Sequence, residues 1–195
     1  MAGRRRIEGL LLAPGAGADS THHTLAALAA AVGPTPVRCM DFPYRLAGRR
    51  APDRAPILLE ALRAELEDFR VELGLRDTGR IVMGGRSMGG RIASIAAASG
   101  TPCRGLVLLS YPLHPPGRPD RLRVEHFGDI TVPTLFVSGL RDPFGSPDEF
   151  AAHLGAIRGP VTQVWIPGGH DPSGRGPERD VAVCAAVREW MASLR

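Results

Sequence analysis

The chain has 195 residues, 44% of them apolar, which is enough for one well-buried core and gives no sign of a second domain within 1–195. Its net charge of +4 is carried by scattered arginines, a pattern that argues against a nucleic-acid partner, and no apolar run approaches the ~20 residues that span a bilayer. The sequence contains no lysine at all, which excludes a P-loop, a Schiff-base lysine and a Ser-Lys catalytic pair.

The start, Met1-Ala-Gly-Arg-Arg-Arg6 before a short and mildly apolar stretch, makes a poor secretion signal, so a cytoplasmic protein is expected. Ile7 to Ala13 reads as the first strand and ends at Pro14-Gly-Ala-Gly-Ala18. Asp19, Ser20 or Thr21 then caps a helix with Leu25, Leu28 and Val32 on one face. Thr35 to Asp41 reads as a second strand, Phe42 to Pro56 as an irregular connection rich in proline and arginine, and Ile57 to Leu73 as an amphipathic helix. Arg80 to Met83 is a strand that stops at glycines, and after Ser87 the small-residue run from Ile92 continues as a helix that Gly100 ends. Further strands follow at Gly105 to Leu109, Val132 to Ser138 and Val161 to Ile166. Ser146-Pro-Asp-Glu149 has the form of a capping box, and a last helix spans Glu178 to Leu194.

About six strands alternating with helices argue for a mostly parallel sheet covered on both faces, in which ligands bind beyond the carboxyl ends of the strands. Ser87, Asp142 and His170 each fall just after a strand, on that one edge. Gly85-Arg-Ser87-Met-Gly89 has the G-x-S-x-G form of a strand-to-helix elbow that displays a nucleophilic serine. A serine hydroxyl needs a base, which His170 supplies, and Asp142 would fix the imidazole's tautomer. Asp171, next to His170 in sequence, is poorly placed for that task. Met88 N–H at the start of the elbow helix, with Ala16 N–H or alternatively Gly17 N–H, would receive the developing oxyanion. Each residue also has a plainer reading, Ser87 as a helix cap, Asp142 as a turn residue and His170 as a loop histidine. Their joint placement favours the catalytic one.

Arg86 and Arg91 flank the elbow and are candidates for contact with an anionic substrate, and His114 and His22 are candidates for the pocket rim. His126 and His153 read as ordinary surface or helix positions. His22-His23 lacks acid or cysteine neighbours at a metal-ligand spacing, and Cys39, Cys103 and Cys184 fit neither a disulfide framework nor a zinc site, so no metal or cofactor is expected. Gly15-x-Gly17-x-x-Ser20 with Asp41 after the next strand approaches a dinucleotide fingerprint, the basis of an alternative oxidoreductase reading that leaves the elbow and His170 unexplained.

Leu12 to Ala18, Gly84 to Arg91, Leu109 to Gly117, Leu135 to Gly145 and Gly168-Gly-His170 resemble the small α/β-hydrolase-like proteins grouped with testis-expressed protein 30 and the hydrolase-like domain of a KAT8 regulatory complex subunit, near the dienelactone hydrolases. The resemblance implies a reduced three-layer α/β-hydrolase fold without a large cap domain. It also implies Ser87, Asp142 and His170 as the triad. Pro14 departs from the histidine that many such enzymes carry there. The combined expectation is an esterase- or thioesterase-like serine hydrolase acting on a small acyl substrate, monomeric or homodimeric. Pro43 to Arg54 and Tyr111 to Ile130 would shape its rim. The second class is a non-catalytic interaction module on the same fold.

Overall fold

The computed structural model describes residues 6–171 and 180–194. Its centre is a six-stranded, wholly parallel sheet built from β1 (Gly9–Ala13), β2 (Val37–Cys39), β3 (Ile81–Arg86), β4 (Gly105–Leu109), β5 (Thr134–Gly139) and β6 (Val161–Ile166), in the order β2-β1-β3-β4-β5-β6. The direction of strand addition reverses between β1 and β3. In such sheets that point opens a crevice at the carboxyl edge.

Among the described residues there are six α-helices: α1 (His23–Ala31), α2 (Pro43–Leu46), α3 (Ala55–Glu72), α4 (Met88–Ala98), α5 (Pro147–Leu154) and α6 (Val181–Ser193). Side chains alternate across a strand, so neighbours in β1 serve opposite layers. Leu11 packs with Met83, Leu108 and Phe136 beneath α3, α4 and α5, whereas Leu10 and Leu12 pack with Val82, Val107 and Val137 beneath α1 and α6. Full burial of each leucine is worth roughly 1.5–3 kcal/mol, and both layers are needed to cover a sheet whose inner strands are apolar on both faces. Helix α3 shows why one stripe suffices: Leu58, Leu62, Leu66 and Phe69 recur at helical spacing and are all buried.

Three expectations change. The first helix is capped by His22, whose ring accepts from Thr24 N–H, because Ser20 is already bound to Asp41 and Asp19 to Thr21. The stretch after Phe42 contains the short helix α2, started by Pro43 with its fixed φ. Strand β3 runs on through Gly84 and Gly85 to Arg86, since those glycines lie against neighbouring strands that a side chain would strike. The expected start of the last helix at Glu178 lies outside the described residues. The capping box at Ser146 and Glu149 forms as expected.

Candidate active site

Ser87 sits between the end of β3 and the first residue of α4 with φ 51° and ψ −113°, a left-handed conformation that costs a non-glycine residue on the order of 1–3 kcal/mol. The packing around the turn holds it there. A Cβ built on Gly85 would fall 2.0 Å from the Ala13 carbonyl oxygen, and one built on Gly89 would fall 2.2 Å from the same atom. Bare backbone on both sides of Ser87 therefore lets the elbow close against the end of β1. Gly15 follows there, and its own added Cβ would lie 3.6 Å from Ser87 Cβ.

The loops after β5 and β6 meet for the same reason, since a side chain on Gly139 would strike the Gly169 carbonyl at 2.1 Å. That contact brings Asp142 and His170 together. His170 Nε2 lies 2.9 Å from Ser87 Oγ, and its Nδ1 lies 3.0 Å from each Asp142 carboxylate oxygen. The Asp142 carboxylate is buried and also accepts from Phe144 N–H at 2.9 Å, which fixes it independently of the histidine. Phe144 contributes its ring as well, tilted by 31° against the imidazole with centroids 4.0 Å apart. The arrangement is a linear relay of hydroxyl, imidazole and carboxylate, with the imidazole pinned on its face and at one edge.

Arg86 is spent inside this structure. One guanidinium nitrogen donates to the His170 carbonyl at 3.0 Å, and burial holds its pKa below the usual value for arginine. It ties the histidine loop to the elbow. Arg91, one turn along α4, is half-buried with an Nε that makes no hydrogen bond. His114 is buried. Its backbone N–H donates to the Phe144 carbonyl at 3.1 Å, and its Nε2 lies 3.2 Å from Glu149 Oε1 at an angle that makes no hydrogen bond. His22 borders the site as the cap of α1, and burial, followed by the Arg86 charge, pushes its pKa down to about 4.

Among the described residues, Ala16 and Met88 donate their N–H groups to no acceptor, whereas Gly17 N–H reaches the Tyr44 hydroxyl at 3.4 Å. Of the two first-loop candidates, Ala16 is therefore the freer donor. Sequence reasoning missed the clamp that holds this loop: Asp41 accepts from both Ser20 N–H and Ser20 Oγ at 2.7 Å, and Arg45 pairs with Asp19. Asp41 is thereby engaged within the protein, in the position where the dinucleotide reading needs it for a ribose. His126 also departs from expectation. It is half-buried, its Nε2 lies 2.7 Å from Ser94 Oγ, and burial followed by the Arg91 charge lowers its pKa to about 4.

The fold also brings Asp171 to the histidine pair, so that His22, His23 and Asp171 offer ligand atoms within 4.8 Å of one another. His23 Nε2 lies 3.2 Å from Asp171 and its Nδ1 lies 2.7 Å from Asp180.

A family model described as an alpha/beta hydrolase domain matches residues 6–184. The chain belongs to the α/β-hydrolase domain family. Solved α/β structures agree in fold. The RedJ thioesterase of the prodiginine biosynthetic pathway in Streptomyces coelicolor superposes with a TM-score of 0.70 at 20% identity, over 93% of this chain and 84% of that one. Est1E from Butyrivibrio proteoclasticus, with ferulic acid bound, gives 0.73 at 16% identity over 97% and 90%. A dienelactone hydrolase from Anabaena variabilis gives 0.70 at 19% over 95% and 86%. Among the described residues of this α/β-hydrolase, no helix is long and apolar enough to cross a membrane.

Proposed function

We propose that the protein is a serine hydrolase, one domain over 1–195, that cleaves an ester or thioester of a small acyl group through an acyl-enzyme. The observation that carries this reading is the continuous Ser87–His170–Asp142 relay at 2.9 and 3.0 Å, on a serine held in a strained elbow. Membership of the α/β-hydrolase family supports a hydrolytic function of this general kind. The motif runs named above favour the group of testis-expressed protein 30 within that family. The free thiols of Cys39, Cys103 and Cys184 suit a cytoplasmic location.

As the Ser87 oxygen bonds to the carbonyl carbon, His170 Nε2 takes its proton. Asp142 holds the imidazole with Nδ1–H toward the carboxylate and stabilises the resulting imidazolium. The carbonyl oxygen becomes an oxyanion facing the N–H groups of Met88 and Ala16, and loss of one such donor costs roughly 3 kcal/mol of transition-state stabilisation. His170 then returns the proton to the departing alcohol or thiol. Water repeats the sequence on the acyl-enzyme, releasing the acid and restoring Ser87.

The test is hydrolysis of neutral p-nitrophenyl esters of increasing chain length. We expect turnover above buffer that falls by a factor on the order of 10³ or more in both Ser87→Ala and His170→Ala. Turnover unchanged by Ser87→Ala would overturn the assignment. No turnover by a folded protein would favour the non-catalytic module instead.

A further inference from the structure

Guanidinium groups that leave bulk water need a counter-charge, and among the described residues three of the half-buried ones have an ion pair that supplies it. Arg38 lies between Glu65 and Glu72, Arg45 meets Asp19, and Arg70 meets Glu67. Arg91 and Arg123 do not. Both are half-buried, and among the described residues neither side chain makes an ion pair or a hydrogen bond.

The two are also close enough to act on each other. Burial first and then the Arg91 charge hold Arg123 below the ordinary arginine value, and the same two causes act on His126. Glu125 exerts a weaker opposing influence on both Arg123 and His126, and Asp129 on His126, without an ion pair to either arginine. The cluster is fixed from beneath. The Tyr111 hydroxyl donates to the Arg123 carbonyl at 2.6 Å, and Ser94 Oγ donates to the Arg91 carbonyl at 2.8 Å while contacting His126. Tyr111 is fully buried against Phe127 and Phe136, so this is a built floor and not a chance meeting of surface side chains.

Its position relates it to the elbow. Arg91 N–H donates to the Ser87 carbonyl at 3.0 Å, so the two residues are separated by about one 5.4 Å helical pitch. Arg123 comes from the loop after β4, the strand beside β3, on the same carboxyl edge. Two like charges gathered at a half-dry site, with Glu125 near Arg123 but ion-paired to neither, are a receptor for an anion, since a carboxylate or phosphate would supply the missing charge through bidentate, charge-assisted bonds.

We propose that Arg91 and Arg123 form an anion subsite that takes a carboxylate or phosphate carried by the acyl substrate about one helical turn from its reacting carbonyl. The proposal rests on Ser87 being the nucleophile. Arg86, committed to the His170 loop, has no part in it.

Two measurements test it separately from the hydrolase reading. The first compares kcat/KM for the p-nitrophenyl monoester of glutarate with that for p-nitrophenyl valerate, which differ by a carboxylate in place of a methyl group. We expect the monoester to be preferred by the wild type. The ratio should fall roughly tenfold to a hundredfold in Arg91→Gln and in Arg123→Gln, with part of it retained in Arg91→Lys. The second titrates folded Ser87→Ala protein with glutarate and with inorganic phosphate by calorimetry. Binding that disappears in an Arg91→Gln/Arg123→Gln version supports the subsite, and the tighter of the two anions names the carboxylate or the phosphate as its ligand. A monoester ratio near one that no substitution moves, with no binding of either anion, overturns the subsite even if valerate is cut. Anion binding without ester hydrolysis would overturn the hydrolase reading instead.

Discussion

The imidazole of His170 is held from three directions. Asp142 takes its Nδ1 edge, Phe144 covers one face, and Arg86 grips the carbonyl of its own backbone. Rate in such a relay depends on the tautomer as much as on distance, because Nε2 must be free of its proton to receive the one from Ser87. Asp142→Asn, which keeps the shape and loses the charge, is expected to slow ester turnover by about 10³–10⁴-fold with little change in KM. Phe144→Ala should cost less, since it loosens the ring without changing its partner; steady-state kinetics on one ester gives both values. That Ser87, Asp142 and His170 lie at one edge of the sheet was legible from sequence, because each stands within four residues of the end of a strand, a position fixed by local pattern. Phe144, Tyr44 and the Asp41 clamp were not, since their roles arise from loops that touch only once the sheet is assembled. Arg123 was hidden in the same way: nothing near it in sequence says that Arg91 lies close to it or that neither is ion-paired.

Elements position the site through close backbone approach. Helix α4 reaches β1 because Gly89 has no side chain, and an alanine there would meet the Ala13 and Pro14 carbonyl oxygens at 2.2 and 2.6 Å. In an ordinary helix interior Gly→Ala stabilises by roughly 0.5–1 kcal/mol. Here the sign reverses. Gly89→Ala is expected to lose roughly 1–3 kcal/mol and to displace the Ala16 loop, whereas Gly155→Ala, with nothing within 4 Å, should be neutral or stabilising. Thermal melts of the two variants check this, and equal melting temperatures would contradict it. The elbow glycines were readable as a motif, and the sheet as alternating apolar runs. Element ends were less so: side chains such as Ser20 chose a distant partner, Asp41, over the helix cap that local pattern offered.

For the whole molecule, two half-buried histidines set a pH dependence. His22 and His126 have folded pKa values of about 4 against an ordinary 6.5, each lowered first by burial. The folded state therefore binds fewer protons than the unfolded chain between those values, and stability is complete above about 6.5 and is lost as pH falls toward 4. His126→Gln, which retains a partner for Ser94, should lose less melting temperature than the wild type between pH 7.5 and 4.5. An identical loss would contradict the assignment. Charge at this scale also gathers near the elbow, where Arg86 precedes Ser87 and bonds the His170 carbonyl, and Arg91 stands one turn into α4 with an Nε that makes no hydrogen bond. The central claim, that the fold activates Ser87 through His170, is tested most directly by intact mass after exposure to a fluorophosphonate. The account predicts one adduct, mapping to Ser87, absent from Ser87→Ala and formed far more slowly in His170→Ala. A folded wild-type protein that gains no adduct, or gains it at the same rate in His170→Ala, would contradict it.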